Sequence, residues 1–308
     1  MSHSEFLRAF ASIQNVGTVD DLLNENTKRY SFQINSRERA KNAIAKLDEH
    51  LKINWNGLRV LDVGCAYGAF TIELAKRGAN AVGIELSKKW LDLAKVNAEG
   101  EADVPFILCD ASSRKARHQL YPHGPFDVVF VNDVFEHIYD TPGLLENIRA
   151  LMSPNAILYF KVPNGQATRH VLLEGHKRKF GISLLAPDYW SKFVPAPFHI
   201  YYRRWEYFTA LFKEYHFHNL KTLNENHDET HDITKKHILR DVHKIKQHLK
   251  LENFENSDQL VVARTACRYY FEEVEEDLDL MEWNDLFFKY RVTFWEGIIQ
   301  APEKSQLK

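Results

Sequence analysis

Residues 60–70 read Val-Leu-Asp-Val-Gly-Cys-Ala-Tyr-Gly-Ala-Phe: a short apolar run, a turn of small residues, and the start of an amphipathic stretch. So short a run of Val and Leu suits a strand buried on both faces, which is the habit of parallel sheets covered by helices. Gly64 and Gly68 lack side chains, so the backbone of the turn can approach a ligand closely. A strand, turn and helix of this kind restrict the chain to an open α/β sheet whose ligand crevice lies at the carboxyl ends of the strands.

The rest of the chain keeps the same rhythm. Strands are expected at 60–63, 81–86, 105–109, 126–132, 156–161, 219–223 and 259–264, with helices near 70–77, 88–97, 143–151 and 204–214. Residues 1–54 read as a helical segment, with Ala43, Ile44 and Leu47 among charges at helical spacing. The α/β domain is expected over 55–266, interrupted by an aromatic-rich insert at 165–202 and a second insert at 225–253 carrying a helix near 238–249. Residues 267–308 read as a helical tail, in which Trp283, Phe287, Tyr290 and Phe294 share one helical face, a core stripe or a homodimer contact.

Composition narrows the classes. Lys+Arg 40 against Asp+Glu 42 leaves almost no net charge, so nothing in the charge balance calls for a nucleic-acid partner. No apolar stretch reaches the ~20 residues of a membrane span. The first residues are acidic and polar where a secretory signal needs an apolar run. Cys65, Cys109 and Cys267 are few and far apart, which suits free thiols and a cytoplasmic location.

The ligand reads as a nucleoside. Glu85 stands about 20 residues beyond the turn at the end of the second strand, where its two oxygens can accept from ribose hydroxyls. A dinucleotide fingerprint, G-x-G-x-x-G, is absent: Ala66 and Ala69 occupy its second and third glycine positions. The arrangement is D-x-G-x-x-x-G, and here the sequence resembles the class I S-adenosylmethionine-dependent methyltransferases, whose first motif carries one further glycine where Ala66 stands. Cys109-Asp110-Ala111 and the stretch 126–138, ending Glu136-His137-Ile138, resemble later motifs of that family in order and spacing. The resemblance covers about 55–224 and the final strand, and within the family it points to bacterial sugar and natural-product enzymes. It implies a Rossmann-like, seven-stranded, mostly parallel sheet with helices on both faces. It also implies S-adenosyl-L-methionine as cofactor, with Gly64 and the neighbouring backbone at its methionine end, Asp110 by the adenine amine and Ala111 near the ring. The full expected set is Asp62, Gly64, Cys65, Ala66, Gly68, Glu85, Leu86, Asp110, Ala111, Asn132 and Asp133.

Methyl transfer from a sulfonium chiefly needs the acceptor atom held in line with the methyl carbon. An alcohol acceptor must also lose a proton, and histidine titrates in a suitable range. His137 follows the fourth strand and is the first candidate base. His176 and His199 lie in the first insert, in a stretch made basic by Arg169, Lys177, Arg178, Lys179, Arg203 and Arg204, which could grip an anionic group or simply face solvent. The expected reaction is O-methylation of a sugar, nucleotide-sugar or related small molecule or glycan. N-methylation and a catalytically silent cofactor-binding scaffold are the alternatives. No metal is expected, because no carboxylate and histidine set stands at ligand spacing near the fourth strand. His227, His231, His237, His243 and His248 crowd the second insert with Asp228 and Asp232, in no standard ligand spacing.

Overall fold

The structure is a computed structural model and describes residues 2–24, 27–195, 197–224 and 230–303. Seven strands form one sheet: β1 (Arg59–Val63), β2 (Asn80–Glu85), β3 (Phe106–Leu108), β4 (Phe126–Asn132), β5 (Met152–Pro163), β6 (His218–Thr222) and β7 (Phe294–Gln300). Their order is β3-β2-β1-β4-β5-β7-β6, with β7 antiparallel to both its neighbours and the other pairs parallel. β1 therefore has β2 on one side and β4 on the other. That reversal of strand order is the switch point at which open α/β sheets bind ligands. Val60, Leu61, Val63 and Val128 to Val131 are all buried, as a sheet covered on both faces requires.

The last strand is not where the sequence pattern placed it. Residues 259–264 lie inside the long helix Ser257–Leu280, capped by the Asn256 side chain, which accepts from Gln259 N–H at 2.9 Å. Leu260, Ala263, Cys267, Tyr270 and Val274 are the buried residues of that helix and recur at helical spacing, whereas Val261 faces out. A period held over 24 residues overrides the local β-preference of two adjacent valines. The seventh strand comes instead from the expected helical tail. Helix Trp283–Tyr290 ends before Phe294 begins β7. A Cβ on Gly297 would lie 2.7 Å from Phe160 and 3.0 Å from the Lys221 carbonyl, so only glycine fits between β5 and β6. The aromatic stripe is accordingly split. Tyr290 is buried and its hydroxyl donates to Asp277, Phe287 packs on the core, and Phe294 belongs to the sheet, so the four make no exposed helical face.

Four helices, Ser2–Ile13, Val19–Asn24, Thr27–Ile34 and Ser36–Leu51, make up the N-terminal segment. Phe6, Phe10 and Tyr30 gather around Tyr67 of the glycine turn. The first insert holds little regular structure beyond helix Thr168–Leu172. The second contributes helix His231–His248, whose buried face (Ile238, Val242, Ile245) packs with Trp190 and Phe198 of the first insert and Cys267 and Tyr270 of the long helix. The inserts thus share a core separate from that of the sheet. Among the described residues no helix is long and apolar enough to cross a membrane.

Candidate active site

A cavity of about 940 Å³ opens at the carboxyl ends of β1 and β4. Of the expected residues, Asp62, Gly64, Cys65, Ala66, Asn132, Asp133, His137, His176 and His199 line it. Three separate segments deliver the histidines: the loop after β4 and two stretches of the first insert.

The turn after β1 is held by its own packing as much as by any ligand. Gly64, Ala66 and Gly68 all have positive φ (67°, 46° and 71°). A Cβ on Gly64 would fall 2.7 Å from Val134, and one on Gly68 would fall 2.6 Å from Phe106. Gly68 does not line the cavity; it is needed so that the helix Ala69–Ala75 can start against β3. Asp62 accepts from both the amide (3.1 Å) and the hydroxyl (2.7 Å) of Thr71, tying β1 to that helix. Burial outweighs these two bonds and pushes the Asp62 carboxyl up to about 7. Cys65 is buried and its thiol is pushed well above its ordinary value, which suits packing and not nucleophilic chemistry.

Glu85 accepts from Ala66 N–H (3.1 Å) and Ser87 N–H (2.8 Å), one bond to each oxygen, and keeps lone pairs for two more donors. Leu86 beside it is 70% exposed at the end of β2, and Leu108 at the end of β3 is also exposed. Asp110 accepts from the amide and hydroxyl of Ser112, and the Ala111 carbonyl accepts from Asn147. An acidic pair of acceptors followed by bare apolar side chains fits a ribose and an adenine ring across β2 and β3. Glu85, Leu86, Asp110 and Ala111 are the residues that would hold them.

The loop after β4 is strained and poorly satisfied. Asp133 has φ 56°; Asn132 donates to its carboxylate at 3.0 Å and Arg39 pairs with it as an ion pair at 3.5 Å. Glu136 is 1% exposed, and neither carboxyl oxygen has a hydrogen-bond partner. Burial pushes both carboxyls up. The loop itself is braced by Arg203, which donates to the carbonyls of Phe135 (3.1 Å), Ile138 (2.9 Å) and Tyr139 (2.7 Å). Arg204 pairs with Glu273, so of the basic residues named from the sequence only Lys177 lines the cavity.

His137 lies against His176, ring centroids 5.3 Å apart and nearly perpendicular. Surrounding protein and the neighbouring imidazole hold its pKa down, to about 4. Glu136, His137 and His176 bring ligand-capable atoms within 4.8 Å of one another. The expectation that no carboxylate and histidine set stands there is therefore corrected: the insert delivers a histidine about 40 residues away in sequence, which spacing along the chain cannot show. In the second insert His231 meets Asp232, His243 meets Gln247 and His248 stacks on Phe180, with no such cluster among the described residues; His227 and Asp228 lie outside them.

One wall was missed from the sequence. Arg29, Phe32, Gln33, Ser36 and Arg39 of the N-terminal helices line the cavity, and Arg39 sits over the Phe32 ring at 3.3 Å. Their signal was a polar and aromatic face on a helix, which is what any surface helix shows.

The sheet order and the cavity at its switch point are those of a class I S-adenosylmethionine-dependent methyltransferase. A methyltransferase-domain family profile matches residues 32–222, well over half of the chain, and the protein belongs to that family. S-adenosyl-L-methionine is its cofactor. Curated relatives include ubiquinone biosynthesis O-methyltransferases of Actinobacillus pleuropneumoniae (27% identical over 46% of this chain and 57% of the relative) and Coxiella burnetii (30% over 37% and 47%). The chain thus spans only about half the length of these relatives. Among solved structures, the plantazolicin methyltransferase BamL in complex with a triazolic desmethylPZN analogue and S-adenosylhomocysteine superposes with a TM-score of 0.50, at 14% identity over 98% of this chain and 97% of that one.

Proposed function

We propose that the protein transfers the methyl group to an oxygen of a small metabolite, a sugar, nucleotide-sugar or related natural product, in the cytoplasm. The observation that carries this reading is the meeting of His137, His176 and His199 at one cavity beside the glycine turn. When bound, the cofactor supplies a methyl on a sulfonium whose departure leaves a neutral thioether, so the protein's share is positioning and removal of the hydroxyl proton. The turn after β1 meets the methionine end and Glu85 the ribose, Arg39 and Lys177 bring positive charge to the cavity, and an imidazole takes the proton. The O-methyltransferase names of the curated relatives support oxygen as the atom methylated.

The test is a screen with isotopically labelled cofactor against catechols, methyl glycosides and sugar nucleotides, read by S-adenosylhomocysteine release and by mass spectrometry of the methylated product. A product methylated at oxygen is expected. Transfer confined to amines would overturn the reading in favour of N-methylation. Turnover is expected to survive a chelator. Loss of activity restored by magnesium or manganese would instead place a cation among Glu136, His137 and His176.

A further inference from the structure

Glu174 is 0% exposed, yet it is surrounded by donors. The amides of His176 (2.7 Å) and Lys177, the Tyr202 hydroxyl and the Nδ1 of His176 (2.8 Å) all meet its two oxygens. A buried carboxyl met by this many donors is held in its ionised, acceptor-only form by them. An ionised carboxylate only accepts, so the proton on the His176 ring must be at Nδ1. The neutral ring then has its lone pair at Nε2. His176 itself lines the cavity and keeps part of its side chain exposed there.

The other two histidines lack such an arrangement. The nearest carboxylate oxygen to His137 is that of Glu136, 3.8 Å from Nε2 and beyond hydrogen-bond reach. His199 is exposed, and no hydrogen bond fixes its ring among the described residues. Of these three histidines only His176 has a buried partner that fixes both tautomer and orientation.

We propose that His176 is the base of this site and that Glu174 is the positioning residue that holds it in the one tautomer able to accept a proton at Nε2. This deepens the oxygen-transfer reading and rests on it. The proton of the acceptor hydroxyl passes to Nε2, and the oxygen keeps the O–H electron pair for its bond to the methyl carbon. The C–S pair stays with sulfur. The imidazolium, its Nδ1–H still on Glu174, returns the proton to water. The buried carboxylate favours the imidazolium that forms, and Tyr202 holds the carboxylate in place.

Two measurements test this. In the full-length protein with 15N-labelled histidine and saturating S-adenosylhomocysteine, long-range proton–nitrogen correlation at pH 8 should show His176 with its proton on Nδ1. Its signals are assigned by their loss in His176→Asn. Glu174→Gln should redistribute the ring toward the Nε2–H tautomer, and Glu174→Asp should restore part of the original pattern. With the acceptor found in the screen, His176→Asn should lower kcat about 100-fold and leave KM within about twofold, while His137→Asn should cost far less. An Nε2–H tautomer in the wild-type protein would overturn the proposal and leave methyl transfer itself standing. A normal kcat in His176→Asn with a dead His137→Asn would do the same. So would stoichiometric Zn2+ binding that shifts both His176 and His137, which would make the cluster a cation site. The tautomer measurement needs no acceptor, so its outcome is independent of the screen: transfer confined to amines would sink the oxygen reading, and with it the role of the base, without changing the tautomer observed. Should Glu174→Gln fail to fold, the wild-type tautomer and Tyr202→Phe decide the matter.

Discussion

Asp62 and Glu174 are both buried carboxylates, 3% and 0% exposed, one in the glycine turn and one in the first insert. Their proton affinities diverge in opposite directions: Asp62 is pushed up to about 7 and Glu174 is pulled down to about 2. Asp62 has two donors, both on Thr71 and both to one oxygen. Glu174 has donors on both oxygens from three residues. Glu136, with none on either oxygen, is also pushed up. The count of donors, set against desolvation and, at Asp62, the nearby Glu85 carboxylate, decides whether a carboxyl keeps its charge. The turn is therefore a packed structural joint, whereas the insert keeps a charge buried next to an imidazole.

The largest effect should separate two glycines of nearly equal backbone. Gly68 (φ +71°) and Gly181 (φ +68°) both sit in the left-handed region, but a Cβ on Gly68 meets Phe106 at 2.6 Å while one on Gly181 meets nothing within 4 Å. Phe106 cannot swing aside toward Gly83, which it also abuts. Gly181→Ala should cost only the backbone strain, ~1–2 kcal/mol. Gly68→Ala should add overpacking of ~1–3 kcal/mol. Equal losses by denaturant unfolding would remove the claim that the turn is fixed by packing.

The two carboxylates should leave opposite marks on stability against pH. Glu174, depressed from 4.5 to about 2, contributes stability that is present above about 4.5 and lost as pH falls toward 2, on the order of 3 kcal/mol. Asp62, raised from 3.8 to about 7, contributes stability that is full below 3.8 and lost as pH rises through 7. Chemical denaturation across pH 3–8 should show Glu174→Gln flattening the acid limb and Asp62→Asn flattening the neutral one. If both variants flatten the same limb, the contrast drawn above is wrong.

On the cofactor side, Glu85→Ala removes two acceptors for ribose hydroxyls, at ~1.5–3 kcal/mol for hydrogen bonds to a charged group. Calorimetry with S-adenosylhomocysteine should show affinity at least about tenfold weaker. His176→Asn should leave that affinity unchanged. The smallest effect is expected on the insert side at Arg204, whose pair with Glu273 is half exposed: Arg204→Met should cost under ~1 kcal/mol. Arg203→Met should cost more, since it strips three carbonyls of the loop after β4 of a charged donor.

The sequence by itself determined the sheet from β1 to β6 and the turn at Gly64 and Gly68, and it offered Glu85 and Asp110 as candidate acceptors. Each of these is written in neighbouring residues: a strand's apolar run, a left-handed turn that tolerates only small side chains, an acidic residue a fixed distance on. Tertiary structure decided the rest. Whether 259–264 or 294–300 became the last strand turned on which segment could bury a 24-residue helical face and which could place Gly297 against Phe160. The partnership of His176 with Glu174 is local, two residues apart, but its meaning was hidden until the fold buried the carboxylate and brought Tyr202 and His137 to it. Burial and convergence of distant segments set those energies, and neither is a property of spacing along the chain.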